Sequence, residues 1–325
     1  MDDDLYKDLY AEGLLSDESF AKTIQKHPSL FSVHREIKTI LYLGVALLTA
    51  GLGTLIYQNI DSIGHTFVLL LIALISAGCF AYCFKNKLPF STEKVRSPNS
   101  SFDYILLLAS ISFLVFTGYL QYEYNVFGSH YGMATFIPMV VLFFIAYYFD
   151  HLGILSMAIA NLAVWMGVSV TPKQLLLNHD FDSEKIIYTY LLLGVLLIAA
   201  AYSTEHFNFK KHFKFSYQHY GVHVAYISLL AGYFHFYQFP AALVWMVGIG
   251  LLSFIIYMDA FKNKSFYFLL LVVLYSYVAV SSLMVRAFIA INDISALYLM
   301  LMYFIGSGIA LIFLLINLNK KLKAA

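Results

Sequence analysis

Ten apolar stretches, each about as long as a helix that crosses a bilayer, fill the chain from Lys38 to Asn319. That repetition constrains the fold more than anything else in the sequence. About 20 apolar residues span the hydrocarbon layer. Only helices and closed barrels satisfy every backbone N–H and C=O there, and stretches of this length are helices. The composition agrees: 61% of residues are hydrophobic and 12% charged, against roughly a quarter charged in an ordinary soluble domain. The expected fold is therefore all-α, a polytopic integral membrane helical bundle.

The stretches read as Thr39–Gln58, Thr66–Phe84, Asp103–Tyr122, Met133–Phe149, Leu152–Val170, Ile186–Tyr202, His219–Phe236, Ala241–Met258, Ser265–Met284 and Ala296–Ile316. Two joints decide the count. Asp150-His151-Leu152-Gly153 must end one helix and start the next. At Gln238-Phe239-Pro240 the proline can open a helix but not continue one. Basic residues test the result. With both termini in the cytoplasm, all of the 20 Lys and Arg residues except Lys173, Lys185 and Arg286 fall in cytoplasmic segments, as the positive-inside rule requires. Merging either pair would scatter the basic loops onto both sides. The organisation expected is a cytoplasmic helical hairpin over residues 1–37, a transmembrane domain over 38–319 and a cytoplasmic basic tail over 320–325. The polar start of the chain has no cleavable signal pattern, so the first stretch is expected to direct insertion into the cytoplasmic (inner) membrane.

Charge and cysteine content exclude several classes. A net charge of +1 provides no basic face for nucleic acid. Cys79 and Cys83 lie four apart on one stretch near its cytoplasmic end and read as packing residues. The many tyrosines at stretch ends, Tyr122, Tyr147, Tyr237 and Tyr267 among them, suit the headgroup level. Small residues such as Ala46, Ala50 and Thr54, or Gly306 and Ala310, are spaced for close helix approach. Gly248-x-Gly250 and Gly306-x-Gly308 lie inside stretches and read as packing too. No nucleotide loop, zinc-protease helix or serine-hydrolase elbow is present, and no cofactor or metal set is implied.

Within the first residues, Leu5, Tyr6, Leu9 and Tyr10 recur at helical spacing, Gly13 stops that helix and Ser16 can cap the next. The run Glu12-Gly13-Leu14-Leu15-Ser16-Asp17-Glu18, followed by Tyr42-Leu43-Gly44 and Gln58-Asn59-Ile60-Asp61, resembles a family of predicted bacterial membrane proteins of unknown function. Its members open with a small "glycine, aliphatic, Ser, x, Glu" hairpin and a glycine-bearing first span that ends in Asn, an aromatic and an acid. Gly13, Ser16, Gly44, Asn59 and Asp61 match that pattern, and Ile60 stands where the aromatic is usual. The resemblance covers about the first 65 residues and implies a bacterial multi-span protein without a defined substrate.

Candidate functional residues are those whose polarity sits poorly with lipid. No Asp, Glu, Lys or Arg lies at the middle of a stretch, which argues against a pump built on a midplane carboxylate. Asn161, beside Trp165, is the deepest strongly polar group and suits a helix-bridging hydrogen bond or a solute contact. Asp61, His65, Glu123, His130, His179, Asp180, Asp182, Glu184, Arg286 and Asp293 gather on the expected outer face. Arg286 closes the ninth stretch and must snorkel outward or pair with an acid such as Glu123 or Asp293. On the inner face, His206, His212, His219 and His223 alternate with Phe207, Phe209, Phe213 and Phe215, as in a basic-aromatic strip against headgroups. His219 and His223 share a helix face, and His223 should sit about a turn inside the apolar layer.

Three functions fit. A small-solute or lipid transporter is favoured by ten spans, which divide into two halves of opposite sense, and it would need a continuous polar path, ideally past Asn161. A membrane-embedded scaffold or sensor would use the N-terminal hairpin to bind a protein partner at the cytoplasmic face. A membrane enzyme would need Glu123, His130 and Arg286 within reach of one outer pocket, and an enzymatic role is the least supported of the three.

Overall fold

The computed structural model describes residues 64–95, 97–128, 131–170, 184–291 and 293–324, with isolated positions between Tyr10 and Gln58. Two units are distinguished, Met1–Val68 and Leu69–Ala325. In the first, Gly13 adopts φ +72° and its N–H meets the Tyr10 carbonyl at 3.0 Å. The chain turns there in a conformation that glycine adopts freely. Gly44, Asn59, Asp61 and His130, named above, lie outside the described residues, as do most positions of the first apolar stretch.

The described residues form nine long helices and no strand. They are α1 (His65–Lys85), α2 (Ser100–Tyr124), α3 (Tyr131–Phe149), α4 (Leu152–Val170) and α5 (Glu184–His206). A 3₁₀ turn at Lys211–Phe213 then leads into α6 (Lys214–His235), α7 (Ala242–Lys262), α8 (Phe266–Ile289) and α9 (Ser295–Ala324). Each matches one apolar stretch, so both doubtful joints are real breaks. The lysines after the last stretch are the final turns of α9.

Eight of these helices are long and apolar enough to cross a membrane. The exception is α6, diluted by Gln218, His219, His223 and a row of tyrosines. It is also the helix with the most buried residues, from Tyr217 to Tyr233. A helix shielded from lipid by its neighbours can carry polar groups that a lipid-facing one cannot. Conversely, large apolar side chains lie bare on the outside: Leu243, Val244, Val247, Leu251, Phe254 and Met258 form an exposed stripe on α7. Water would not tolerate so much contiguous apolar surface; lipid does.

Two cores share α5 and α6. One gathers α1 to α5 with the start of α6, around Leu106, Leu142, Ile154, Leu155, Leu193 and Tyr217. The other gathers α5 to α9 around Tyr226, Trp245, Ile256 and Leu269. Because lipid is as apolar as leucine, close packing has to hold such helices together. The α5–α6 crossing supplies it through glycine. A Cβ on Gly194 would lie 2.7 Å from the Ala225 amide nitrogen, and one on Gly221 2.9 Å from that of Ile198. Gly232 likewise accommodates the Trp245 ring. Gly250, Gly306 and Gly308, expected to serve packing, have no atom within 4 Å of a built Cβ. Both cysteines are free thiols, Cys83 buried and Cys79 partly so.

Candidate functional site

The break between α3 and α4 is built by two residues. Asp150 takes a left-handed conformation, φ +58°, and the His151 N–H returns to the Ala146 carbonyl at 3.0 Å. This is a Schellman ending with aspartate in the usual place of glycine. His151 then caps α4, its Nδ1 accepting from the Ile154 N–H at 3.2 Å. A Cβ on Gly153 would come within 3.0 Å of that imidazole, so the glycine gives the cap its room. Burial lowers the His151 pKa below its ordinary 6.5, against the opposing pull of Asp103. Accepting at Nδ1 requires that nitrogen to carry no proton.

The same turn points the Asp150 carboxylate inward, where it is 1% exposed. It accepts from the Val95 N–H and the His212 Nε2, and it lies 3.2 Å from the ammonium group of Lys210, which is fully buried. Lys210 is held on its other side by the Thr92 carbonyl, which accepts its N–H at 2.9 Å, and by the Phe90 ring. Three connections of the chain, before α2, between α3 and α4 and before α6, thus close on one carboxylate. The basic-aromatic strip proves to be divided. Phe213 and Lys210 are buried, while Phe207 and Phe215 face outward.

Beside this clasp, a second charged group joins α5, α6 and α7. Lys214 Nζ lies 2.6 Å from Glu205 and 3.4 Å from Asp259, and the Gln218 amide donates to Asp259 at 2.7 Å. Asn263 donates to the same carboxylate at 2.9 Å. These residues line an open cavity of about 450 Å³ at that end of the bundle.

From the next residue of α6, His219, a separate set of hydrogen bonds runs into the bundle. The Tyr267 hydroxyl bridges His219 Nδ1 at 2.5 Å and His223 Nε2 at 3.1 Å. His223 Nδ1 meets the Tyr275 hydroxyl at 2.7 Å. The Tyr275 ring stacks on Tyr226, with centroids 4.6 Å apart. The Tyr226 hydroxyl meets Ser253 at 2.9 Å, and Ser253 meets Ser276 at 3.0 Å. Ser276 lines a second cavity of about 530 Å³ between α8 and α9, together with Tyr277, Tyr303 and Ser307. Tyr277 pairs with Ser307, and Ser281 with Tyr303, each at 3.0 Å. From Tyr267 to Ser281 the hydroxyls follow α8 for about 21 Å at ~1.5 Å per residue, most of the roughly 30 Å hydrocarbon thickness. Every member from His219 to Ser276 can both donate and accept.

Of the residues singled out from sequence, His219 and His223 are therefore brought together, with hydroxyl partners that periodicity alone did not identify. The signal was present in Tyr267 and Tyr275, eight apart and so on one face of α8, but it resembled an interfacial tyrosine. Asn161 bridges helices: its amide donates to the Thr135 carbonyl on α3 at 3.0 Å. Thr135 lies one residue beyond Ala134, whose carbonyl loses its helical partner to Pro138, so the bond falls beside a weak point of that helix. Arg286 lies over the Tyr237 ring, 4.6 Å from its centroid, and makes no ion pair among the described residues. Asp293 is instead turned to the Ser295 hydroxyl and the Ile294 N–H, which hold its pKa down. Glu123 is exposed at the end of α2. In the sequence, Asp150 marks only a helix break, Lys210 a cytoplasmic loop charge and His212 a member of the basic-aromatic strip. Burial of a loop lysine leaves no trace in local sequence. The described residues contain no cluster of three or more His, Cys, Asp or Glu that could hold a metal ion.

A lipid-facing bundle of long apolar helices around one polar, buried helix defines a multi-pass membrane protein. Residues 7–155 match the family described as "Predicted membrane protein (DUF2157)", a domain of unknown function. Neither the curated proteins nor the solved structures yield a match.

Proposed function

We propose that this chain is a transporter, moving protons along the α6–α8 ladder and handling a lipid or small amphiphilic solute that enters the α8–α9 cavity from the bilayer. The observation that carries the reading is the hydrogen-bonded series from His219 through Tyr267, His223 and Tyr275, which begins one residue beyond Gln218 of the charged cavity and runs toward the middle of the bundle. A carboxylate at the midplane is unnecessary, because imidazoles and phenols that donate and accept at once can pass protons in sequence. The charged groups nearest the entrance are Lys214, Glu205 and Asp259, and none lies deeper among the described residues. On this reading the protein sits in the cytoplasmic membrane with the clasp facing the cytosol.

The test is proton flux into proteoliposomes loaded with a pH-sensitive dye and driven by a pH gradient. Flux above that of protein-free vesicles is expected, with a fall of about tenfold or more for His223→Leu or Tyr275→Phe. Flux equal to that of empty vesicles, or unchanged in both variants, would overturn it.

A further inference from the structure

We infer that the cavity between α8 and α9 holds an acyl chain of an anionic phospholipid whose headgroup rests on Lys264 and Lys320. This names the ligand class for the cavity on which the transport reading rests, yet binding itself requires no transport. The cavity has the volume of a ligand site, about 530 Å³, within the usual range of roughly 300–1,000 Å³. Its hydroxyls are already committed: Tyr277 to Ser307, Tyr303 to Ser281, and Ser276 to Ser253. What faces the space is the apolar wall of Val272, Val273, Val280, Ala310, Leu311 and Leu314. A polar solute would gain nothing there, whereas an alkyl chain fits.

The cavity opens to lipid. From Leu297 to Asn317 no residue of α9 is buried, so that helix leans on α8 with bilayer on its other sides. Its far end is pinned by Leu318 and Leu322, which are buried.

Charge then selects the kind of lipid. The Tyr277–Ser307 and Ser281–Tyr303 bonds fix one antiparallel register. Followed back along α8 and onward along α9, it sets Lys264 level with Lys320, with Lys321 and Lys323 beside them. All four lysines are exposed, and none makes an ion pair among the described residues. Lys264 lies two residues before the start of α8, at the rim of the charged cavity, and the free N–H groups of α8 also favour an anion. The cavity begins at Val272, about 12 Å below the lysine level, and ends near Val280, about 24 Å below it, at ~1.5 Å per residue. Headgroup level to bilayer midplane is about 20–22 Å. A phospholipid seated on the lysines therefore lays the lower part of one chain in the cavity.

Binding is read by native mass spectrometry of the purified full-length chain, delipidated in detergent and titrated with phosphatidylglycerol or with phosphatidylcholine. The expected result is one retained phosphatidylglycerol per chain, held about tenfold or more tighter than phosphatidylcholine. The double variant Lys264→Gln/Lys320→Gln should bring the two lipids to equal affinity. Ala310→Trp, at an exposed position that fills the cavity, should remove both while leaving helical content and monodispersity intact. Equal retention of the two lipids by the unaltered chain, full phosphatidylglycerol binding by the lysine variant, or a lipid-free dimer would each overturn the inference. Phosphatidylglycerol binding without proton flux would sink the transport reading alone.

Discussion

Lys210 is the most consequential single residue of the described fold, because a lysine ammonium without water must have a partner. Its partner is Asp150, itself 1% exposed. Removing one member of such a pair leaves the other charged and alone in a poor solvent, at a cost of about 3–5 kcal/mol, whereas replacing both with apolar groups is often neutral. Asp150→Asn, which tolerates the left-handed turn, should therefore lower the thermal unfolding midpoint in detergent sharply, and Asp150→Asn with Lys210→Met should recover most of the loss. If the double variant is no more stable than the single one, the Lys210 charge is not what the aspartate serves. Tyr233 shows the opposite situation. Its buried hydroxyl has no hydrogen-bond partner among the described residues, although the ring is packed on all sides. Neither situation was legible in the sequence. A buried lysine and an orphaned phenol look, residue by residue, like a loop charge and an interfacial anchor.

Helices, by contrast, were legible almost to their ends. Each described helix falls on an apolar stretch, and the Asp150-His151 break appears where a charged pair interrupts it, because lipid penalises every alternative to a helix. What holds the helices together was harder to see. Spacing pointed to Gly306 and Ala310, yet these border open space and the cavity, while the close crossing is made by Gly194 and Gly221. Four-residue spacing of small residues marks a possible interface, and only the partner helix decides whether it is used. Gly194→Leu should thus separate α5 from α6 and weaken the fold by several kcal/mol, an overpacking effect at the upper end of the usual range. Gly306→Leu should change stability by less than about 0.5 kcal/mol. Both are measurable as shifts in thermal unfolding, and equal effects would remove the distinction.

For the molecule as a whole, the distribution of basic loops argues for breaks at Asp150 and before Pro240, and both breaks are present among the described residues. The connections before α2, between α3 and α4 and before α6 meet at Asp150, and the end of α7 joins the neighbouring group through Asp259. Single cysteines placed at Lys87, Lys211 and Lys264, in a background lacking Cys79 and Cys83, should all react with an impermeant maleimide from the same side of sealed membrane vesicles. One at Tyr122 should react from the other side. A mixed pattern would show that the loops do not alternate across the membrane as the basic residues imply. The polar ladder escaped sequence reading because it is assembled from three helices, and no local pattern records which tyrosine faces which histidine. Asp150 also bears on biogenesis. Its side-chain partners Lys210 and His212 follow it by about sixty residues, so a nascent chain that has threaded α3 and α4 holds that carboxylate without the Lys210 counter-ion until α5 has been made. A chain truncated before Lys210 is thus expected to lack the contact that buries Asp150, and to be cleaved faster by protease in isolated membranes than the whole chain.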